Sequence, residues 1–485
     1  MKNKQLFSTI MCGILSAATL VSCGQTEAVS SAETTTAAPE TTTSPYVDSL
    51  PEKDYGGDTF TTLIRTEWAY EFDIPEQNGE IINDAVYNRN TAVEERFNVN
   101  LEFVQVDGAW DARQTFLNTV TSAILAGDDV FDMVAAYQAY ITTPIMEGYF
   151  LNILDMPEID PDAPWWSKKC NDSVTLNNTL YFTTGDIALS MWNGLYVMKF
   201  NKKLANENNV PDVYELVRSG KWTLDKLAEL SAMVGQDLNG DTVYDENDLY
   251  GLAVPSNGNQ TRNWQLACNI PITTLNKDGF MEMSLNTERT QDLLEKLVKL
   301  YDAETTNRSF FSTDREEEPT LFIENRALFI TSLLGVASEL RSMDTDFGII
   351  PYPKYDEHQK EYRTTSNNGV SMICFPNTVR DPEMSAIMAE ALCSQSYKDV
   401  IPQYYDVSLK TKGARDEESG EMIDIIRDSM VFDFGWVHSV IMNSVGQMLA
   451  DLVHVRSDNF ASYYASKEAA ILAGLEKINK AYGME

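Results

Sequence analysis

Histidine is scarce in this chain, with three in 485 residues (His358, His438 and His454), and none is spaced to share a zinc ion with another. Of six cysteines, Cys12 and Cys23 sit near the N-terminus, and Cys170, Cys268, Cys374 and Cys393 are scattered. They have neither metal-ligand spacing nor the density of a disulfide framework, so buried free thiols are expected. Positive charge is short as well: 37 Lys and Arg face 73 Asp and Glu, for a formal net charge of −36. That argues against nucleic acid and against anionic membrane surfaces, which both need positive charge. It counts mildly against an anionic ligand, although local charge can override a total. There is no Gly-x-Ser-x-Gly elbow, phosphate loop or zinc motif, so no familiar catalytic apparatus is visible. Past residue 21 no apolar stretch approaches about 20 residues, and no spanning helix is expected there.

The chain opens with Met1-Lys2-Asn3-Lys4, a basic start, followed by an apolar run over residues 6–21. This is the layout of a secretory signal, too short for a comfortable span. It ends Leu20-Val21-Ser22-Cys23-Gly24, which resembles the bacterial lipobox, where a small residue precedes a cysteine that is lipidated and becomes the new N-terminus. Residues 1–22 are therefore expected to leave as a lipoprotein signal peptide, with Cys23 carrying the lipid. Several acyl chains together hold far better than one. The following segment, rich in Thr and Pro (Thr34-Thr35-Thr36-Ala37-Ala38-Pro39), cannot bury a core, and residues 23–54 are expected to form a disordered tether.

Beyond the tether, residues 59–64 read as a buried strand, 83–97 as a helix, 99–106 as a strand, 111–126 as a helix closed by Gly127, and 130–136 as a strand. Strand, helix, strand, helix, strand predicts a parallel α/β sheet whose ligands gather at the carboxyl ends of the strands. Further helices are expected from 201, over 222–234 with Thr223 as N-cap, and over 291–302, 384–394, 420–429, 437–453 and 459–482. Strands are expected at 347–350 and 370–375.

Asp237-Leu238-Asn239-Gly240-Asp241-Thr242-Val243-Tyr244-Asp245-Glu246-Asn247-Asp248 places side-chain oxygens at loop positions 1, 3, 5, 9 and 12. Asp237, Asn239, Asp241, Asp245 and Asp248, with the Val243 carbonyl, are the candidate ligands of a structural Ca2+, since a hard cation needs such an oxygen wrap. The pattern resembles EF-hand and dockerin-type loops. It departs from them in Thr242, where glycine is usual, and Asp248, where glutamate is.

Several segments, in order, resemble the extracellular solute-binding proteins of family 1, the class containing maltose-binding protein. Ala126-Gly127-Asp128-Asp129-Val130-Phe131-Asp132-Met133-Val134 is similar to the family's GxxPDI strand, and Gly148-Tyr149-Phe150-Leu151 to its GLL turn. Tyr196-Val197-Met198-Lys199-Phe200-Asn201-Lys202-Lys203-Leu204 is similar to LYYNKDL, and Gly220-Lys221-Trp222-Thr223-Leu224-Asp225-Lys226-Leu227 to the TWDEL helix start. Phe322-Ile323-Glu324-Asn325-Arg326-Ala327-Leu328-Phe329 resembles the F-x-x-GKAAM segment without its glycine, and Phe347-Gly348-Ile349-Ile350-Pro351-Tyr352-Pro353 the GVxPLP crossover. The resemblance covers about residues 56–480. It implies an α/β, two-lobe periplasmic-binding-protein-like fold of type II, hinged, with the ligand in the cleft between lobes. One lobe is expected from 55–187 and 350–406, the other from 188–349 and 407–485. Crossings are placed near 185–190, 350–352 and 405–409. The implied partners are a sugar and the membrane permease subunits of an ABC importer; the protein is expected to be a monomer on the outer face of the cell membrane.

Sugar rings stack on aromatic faces and their hydroxyls need planar polar partners. Aromatic and amide residues at strand ends and crossings are therefore the candidates: Trp68, Tyr137, Gln138, Asp186, Trp192, Trp264, Asn368 and Trp436, with Asn367 beside Asn368. Each tryptophan could instead be core. Three alternatives stay open. A surface glycosidase would need two carboxylates at a set separation. A glycan-capture lipoprotein would work without a transporter, and an importer component could carry peptide or polyamine.

Overall fold

A computed structural model describes residues 47–484 apart from 246, 255–259, 308–319, 337–339, 341–342 and 406–415. The signal peptide, Cys23, the tether up to 46 and most of the crossing expected at 405–409 lie outside the described residues. Residues 48–54, expected to be tether, belong to the folded part. The Asp48 carboxylate accepts two bonds from the Arg96 guanidinium, at 2.7 and 2.9 Å, and one from Ser394 Oγ at 2.9 Å.

The strand–helix alternation produces the first sheet. β1 (Asp58–Arg65) pairs in parallel with β2 (Val99–Val106), Asp58 opposite Val99 and Arg65 opposite Val106, and in parallel with β3 (Met133–Tyr137) on its other side. Two helices make the crossovers, Ile81–Phe97 and Arg113–Ala126. Each stops at a residue that tolerates left-handed backbone, Asn98 at φ 48° and Gly127 at φ 73°.

A second sheet is built from β4 (Tyr196–Asn201), β5 (Tyr250–Ala253), β8 (Thr306–Asn307), β9 (Ala327–Leu333) and β10 (Phe347–Ile350), in the order β10-β4-β9-β5-β8. β4 runs antiparallel to both its neighbours, whereas β5 is parallel to β9 and β8. A hairpin joins β6 (Thr273–Leu275) to β7 (Met281–Met283). β11 (Ser371–Cys374) returns to the first sheet, antiparallel to β3, giving the order β11-β3-β1-β2. The first sheet is therefore mixed, with a parallel body and one reversed edge.

There are two apolar cores: the first holds the first sheet and one face of the second, where Val197, Tyr250, Ile330 and Ile349 join it, and the other covers the opposite face of the second sheet. Phe60, Ile64, Val134, Ile373 and Leu392 belong to one; Trp222, Leu252, Trp264, Phe329 and Tyr352 belong to the other. Burying each such side chain contributes about 1.5–3 kcal/mol. Side-chain caps set the helix starts: Thr223 Oγ1 accepts from Lys226 N–H at 3.2 Å, as expected, and Thr287 does the same for Thr290. The single helix expected over 437–453 is two, Phe434–Val437 and Met448–His454. Asn443 and Ser444 between them have φ of 54° and 57°, which no helix accommodates. The apolar spacing misleads here because both pieces bury the same face: Val437, Met442, Val445, Met448 and Leu452 are all core.

Two described passes of chain run between the sheets, before β4 and before β11. Leu195 bridges to Ser366, and Thr364 to Met430. The second crossing lies later than 350–352, because 351–362 still packs with the second sheet: Trp222 Nε1 donates to Pro351 O at 2.9 Å and Tyr362 Oη to Val217 O at 3.0 Å. The chain changes sheets between Ser366, bridged to Leu195, and β11. Glu71, fully buried, ties the passes together, accepting from Ser190 N–H and from Ser371 Oγ. Burial pushes its carboxyl above the usual range, against those donors and nearby Arg65.

Candidate ligand-binding cleft

Where the carboxyl ends of the first sheet face the second half of the chain, a cavity of about 460 Å³ opens. It is lined by Trp110, Tyr137 and Ala139 from the first half, by Asn367 and Asn368 from the crossing, and by Tyr196, Arg262, Trp436, Ser439, Gln447 and Asp451 among others from the second half. Tyr137, Asn368 and Trp436, expected from sequence to meet, are brought together here.

The first wall is held from behind. Tyr137 ends β3, and Arg65, the last residue of β1, lays its guanidinium 4.9 Å from the Tyr137 ring centre. Arg65 Nη2 donates to Gly369 O at 2.7 Å and Ser371 Oγ at 2.9 Å, so the cation is spent on the scaffold. Tyr137 Oη donates to Asn368 Oδ1 at 3.3 Å. Trp110 stands at the rim, 43% exposed, with the Arg113 guanidinium 4.4 Å over its ring.

The opposite wall centres on Trp436. Asp433 caps its helix, accepting from Trp436 N–H at 2.7 Å while its other oxygen accepts from Ile272 N–H at 3.2 Å. Burial pushes the Asp433 carboxyl up to about 6, against these donors and Arg363. A Cβ on Gly446 would sit 2.7 Å from Trp436 Cε3, so only glycine lets the backbone lie against the indole. Trp436 Nε1 and Arg262 Nε are buried without a hydrogen-bond partner.

Five expected contacts are placed elsewhere. Trp264 is fully buried core, its Nε1 donating to Tyr301 Oη at 2.9 Å and its ring 4.7 Å from Tyr352. Trp192 is buried in the crossing, edge-on to Tyr405 at 6.0 Å. Asp186 is buried beside Trp165, whose carbonyl accepts its N–H, and burial pushes its carboxyl well up. Gln138 is buried behind Tyr137. Trp68 does not line the cavity; it packs 5.7 Å from Tyr70, and the far side of Arg65 lies 5.9 Å from it. Trp110 and Arg262 were not among the expected contacts. The strand-end rule could have found Trp110, four residues past β2; Arg262 sits two residues before Trp264, the more conspicuous side chain.

Cys170, Cys268, Cys374 and Cys393 are free and buried. His438 is buried, stacked on Phe434 at 4.1 Å, and burial holds its imidazole down at about 4. In the loop 237–248, Asp237 accepts from Gly240 and Thr242 N–H, and the buried Asp248 from Leu238 and Asp245 N–H. Thr242 takes φ 69°, the conformation for which such loops usually keep glycine. Among the described residues no group of three or more His, Cys, Asp or Glu is arranged to hold a metal ion, and no helix is long and apolar enough to cross a membrane.

No family model and no curated protein matches the chain by sequence. Solved structures match it by shape. One is the cyclic α-maltosyl-1,6-maltose binding protein of Arthrobacter globiformis, with a TM-score of 0.57 at 13% identity over 87% of this chain and 100% of that one. Another is an ABC substrate-binding protein from Listeria monocytogenes in complex with cycloalternan, with a TM-score of 0.52 at 13% identity over 88% of this chain and 100% of the other. A third is an ABC transporter solute binding protein from Thermotoga lettingae bound with α-D-tagatose, with a TM-score of 0.53 at 14% identity over 88% and 100%. With its two sheets, the passes that connect them and the cleft between them, the chain has the two-lobe fold of the solute-binding proteins of ABC importers.

Proposed function

We propose that this chain is the substrate-binding component of an ABC importer and takes a carbohydrate, an oligosaccharide, in the cleft. The observation that carries the reading is the convergence of Trp110, Tyr137 and Trp436 with the amides of Asn367 and Asn368 on one cavity. Aromatic faces hold sugar rings, and planar amides answer their hydroxyls. The volume falls within the roughly 300–1,000 Å³ of small-molecule sites. The sugars bound by proteins of the same fold support the same reading. The protein works as a monomer, held on the outer face of the membrane by lipid on Cys23, and delivers its ligand to permease subunits.

Calorimetric titration of the full chain against maltotetraose and other neutral oligosaccharides, peptides and polyamines tests the substrate class. Saturable heat with a saccharide is expected; binding of peptides or amines alone would keep the fold and remove the sugar.

Calcium in the loop 237–248 is proposed on donor spacing: Asp237, Asn239, Asp241, Asp245, Asp248 and the Val243 carbonyl would hold it, pinning the loop after the helix Leu224–Val234. Those carboxylates would have to exchange backbone N–H partners for the ion. One equivalent of Ca2+ bound in equilibrium dialysis, lost in Asp237→Asn, is the expected result; no uptake would sink it.

A further inference from the structure

The described lining of the cavity is rich in donors, and its one cation has no partner among the described residues. Arg262 lines it half-buried, and among the described residues it makes no ion pair and no hydrogen bond; its Nε is buried without an acceptor. Arg65, on the other side, is held by Gly369, Ser371 and Glu67.

The neutral groups lean the same way. Trp436 Nε1–H has no acceptor. One lone pair of the Asn367 oxygen is taken by the Gly369 N–H at 2.9 Å, while no donation by its Nδ2 is seen among the described residues. Ser439 Oγ already accepts from Gly446 N–H at 2.8 Å. Among the described lining residues the only carboxylate is Asp451, one oxygen of which accepts from Tyr463 Oη at 2.9 Å.

A hydroxyl brings a donor for every acceptor. A carboxylate brings two acceptor oxygens, no donor, and a charge and plane that a guanidinium fork matches with two bonds. We propose that the saccharide is acidic, a uronate-bearing oligosaccharide whose carboxylate is seated on Arg262 while its rings stack on Trp436 and Tyr137. This rests on the carbohydrate reading above and sharpens it. The net negative charge of the chain does not oppose it, because the local field of an unpaired arginine decides at contact distance. The site also gains discrimination, since a neutral analogue would leave a half-buried cation unanswered.

Calorimetry on the full chain at low salt would compare digalacturonate and cellobiouronate, each with its methyl ester and its neutral parent, with maltotetraose alongside. The ester keeps the shape and removes the charge. One acid is expected to bind about ten-fold or more tightly than its ester, and Arg262→Gln to erase that ratio. Neutral sugars that bind as well as the acids, or a preference that survives Arg262→Gln, would overturn the proposal and leave the carbohydrate reading standing. No binding of any saccharide, charged or neutral, would remove that reading itself. The wild-type ratio of acid to ester needs no variant, so a misfolded Arg262→Gln leaves the test intact.

Discussion

The two walls of the cleft are finished to different degrees. On the first, Tyr137 is backed by a buried arginine whose Nη groups bind the scaffold, and Asn368 accepts from Tyr137. On the second, Trp436 and Arg262 keep buried N–H groups with no partner. Arg65 Nε is unpartnered as well, but Arg65 stands behind the lining and its Nη groups are bound, whereas Trp436 and Arg262 belong to the lining itself, so the second wall has more left for a ligand to complete. The difference separates the residues that give the site its shape from those that choose what enters.

The largest effect should come from breaking the first wall. Arg65→Met removes the charge-assisted hydrogen bonds to Gly369 O and Ser371 Oγ and is expected to lower stability by about 2–4 kcal/mol in urea unfolding. A loss below about 1 kcal/mol would mean the first wall is not held from behind. Next is Trp436→Ala, expected to weaken saccharide binding by about 2 kcal/mol or more, roughly thirty-fold, in calorimetry. An unchanged affinity in the folded variant would take the second wall out of recognition. Trp110→Ala, at the exposed rim, should cost about 1 kcal/mol of affinity and leave the melting temperature unmoved. The smallest effect separates the halves by pH. Glu390 accepts from the indoles of both Trp165 and Trp166, and burial pushes it up to about 7; the stability tied to its proton is whole below about 4.5 and is lost as pH rises through 7. His438, held down at about 4, runs the other way: its contribution is whole above about 6.5 and is lost as pH falls toward 4. Glu390→Gln should therefore flatten the fall in melting temperature between pH 5 and 8 and leave the acid limb in place. A slope unaltered by the substitution would place the titration elsewhere.

Much of the frame was legible in the sequence because it is local. The alternation around 59–136, the Thr223 cap and the Gly127 stop each depend on a few neighbouring residues, and each is found where expected. What failed depended on distance. Trp264 and Trp192 look as available as Trp436 in sequence; only the fold decides that Tyr301 and Tyr352 enclose one and Tyr405 covers the other. The break at Asn443-Ser444 was masked by apolar spacing that both pieces share. Arg262 could not be singled out, because nothing in a sequence tells a paired arginine from an unpaired one.

Glu71 also bears on how the molecule is made. Its two partners are far off in sequence, Ser190 at 119 residues and Ser371 at 300. Loops of that length close late, after nearby segments have already met. Until Ser371 arrives, the carboxylate has reason to stay hydrated rather than enter the interior with half its donors missing. A chain emerging from its N-terminus would thus complete the floor of its cleft only near the end of assembly. The tie between the passes that join the two sheets is among the last things the protein acquires.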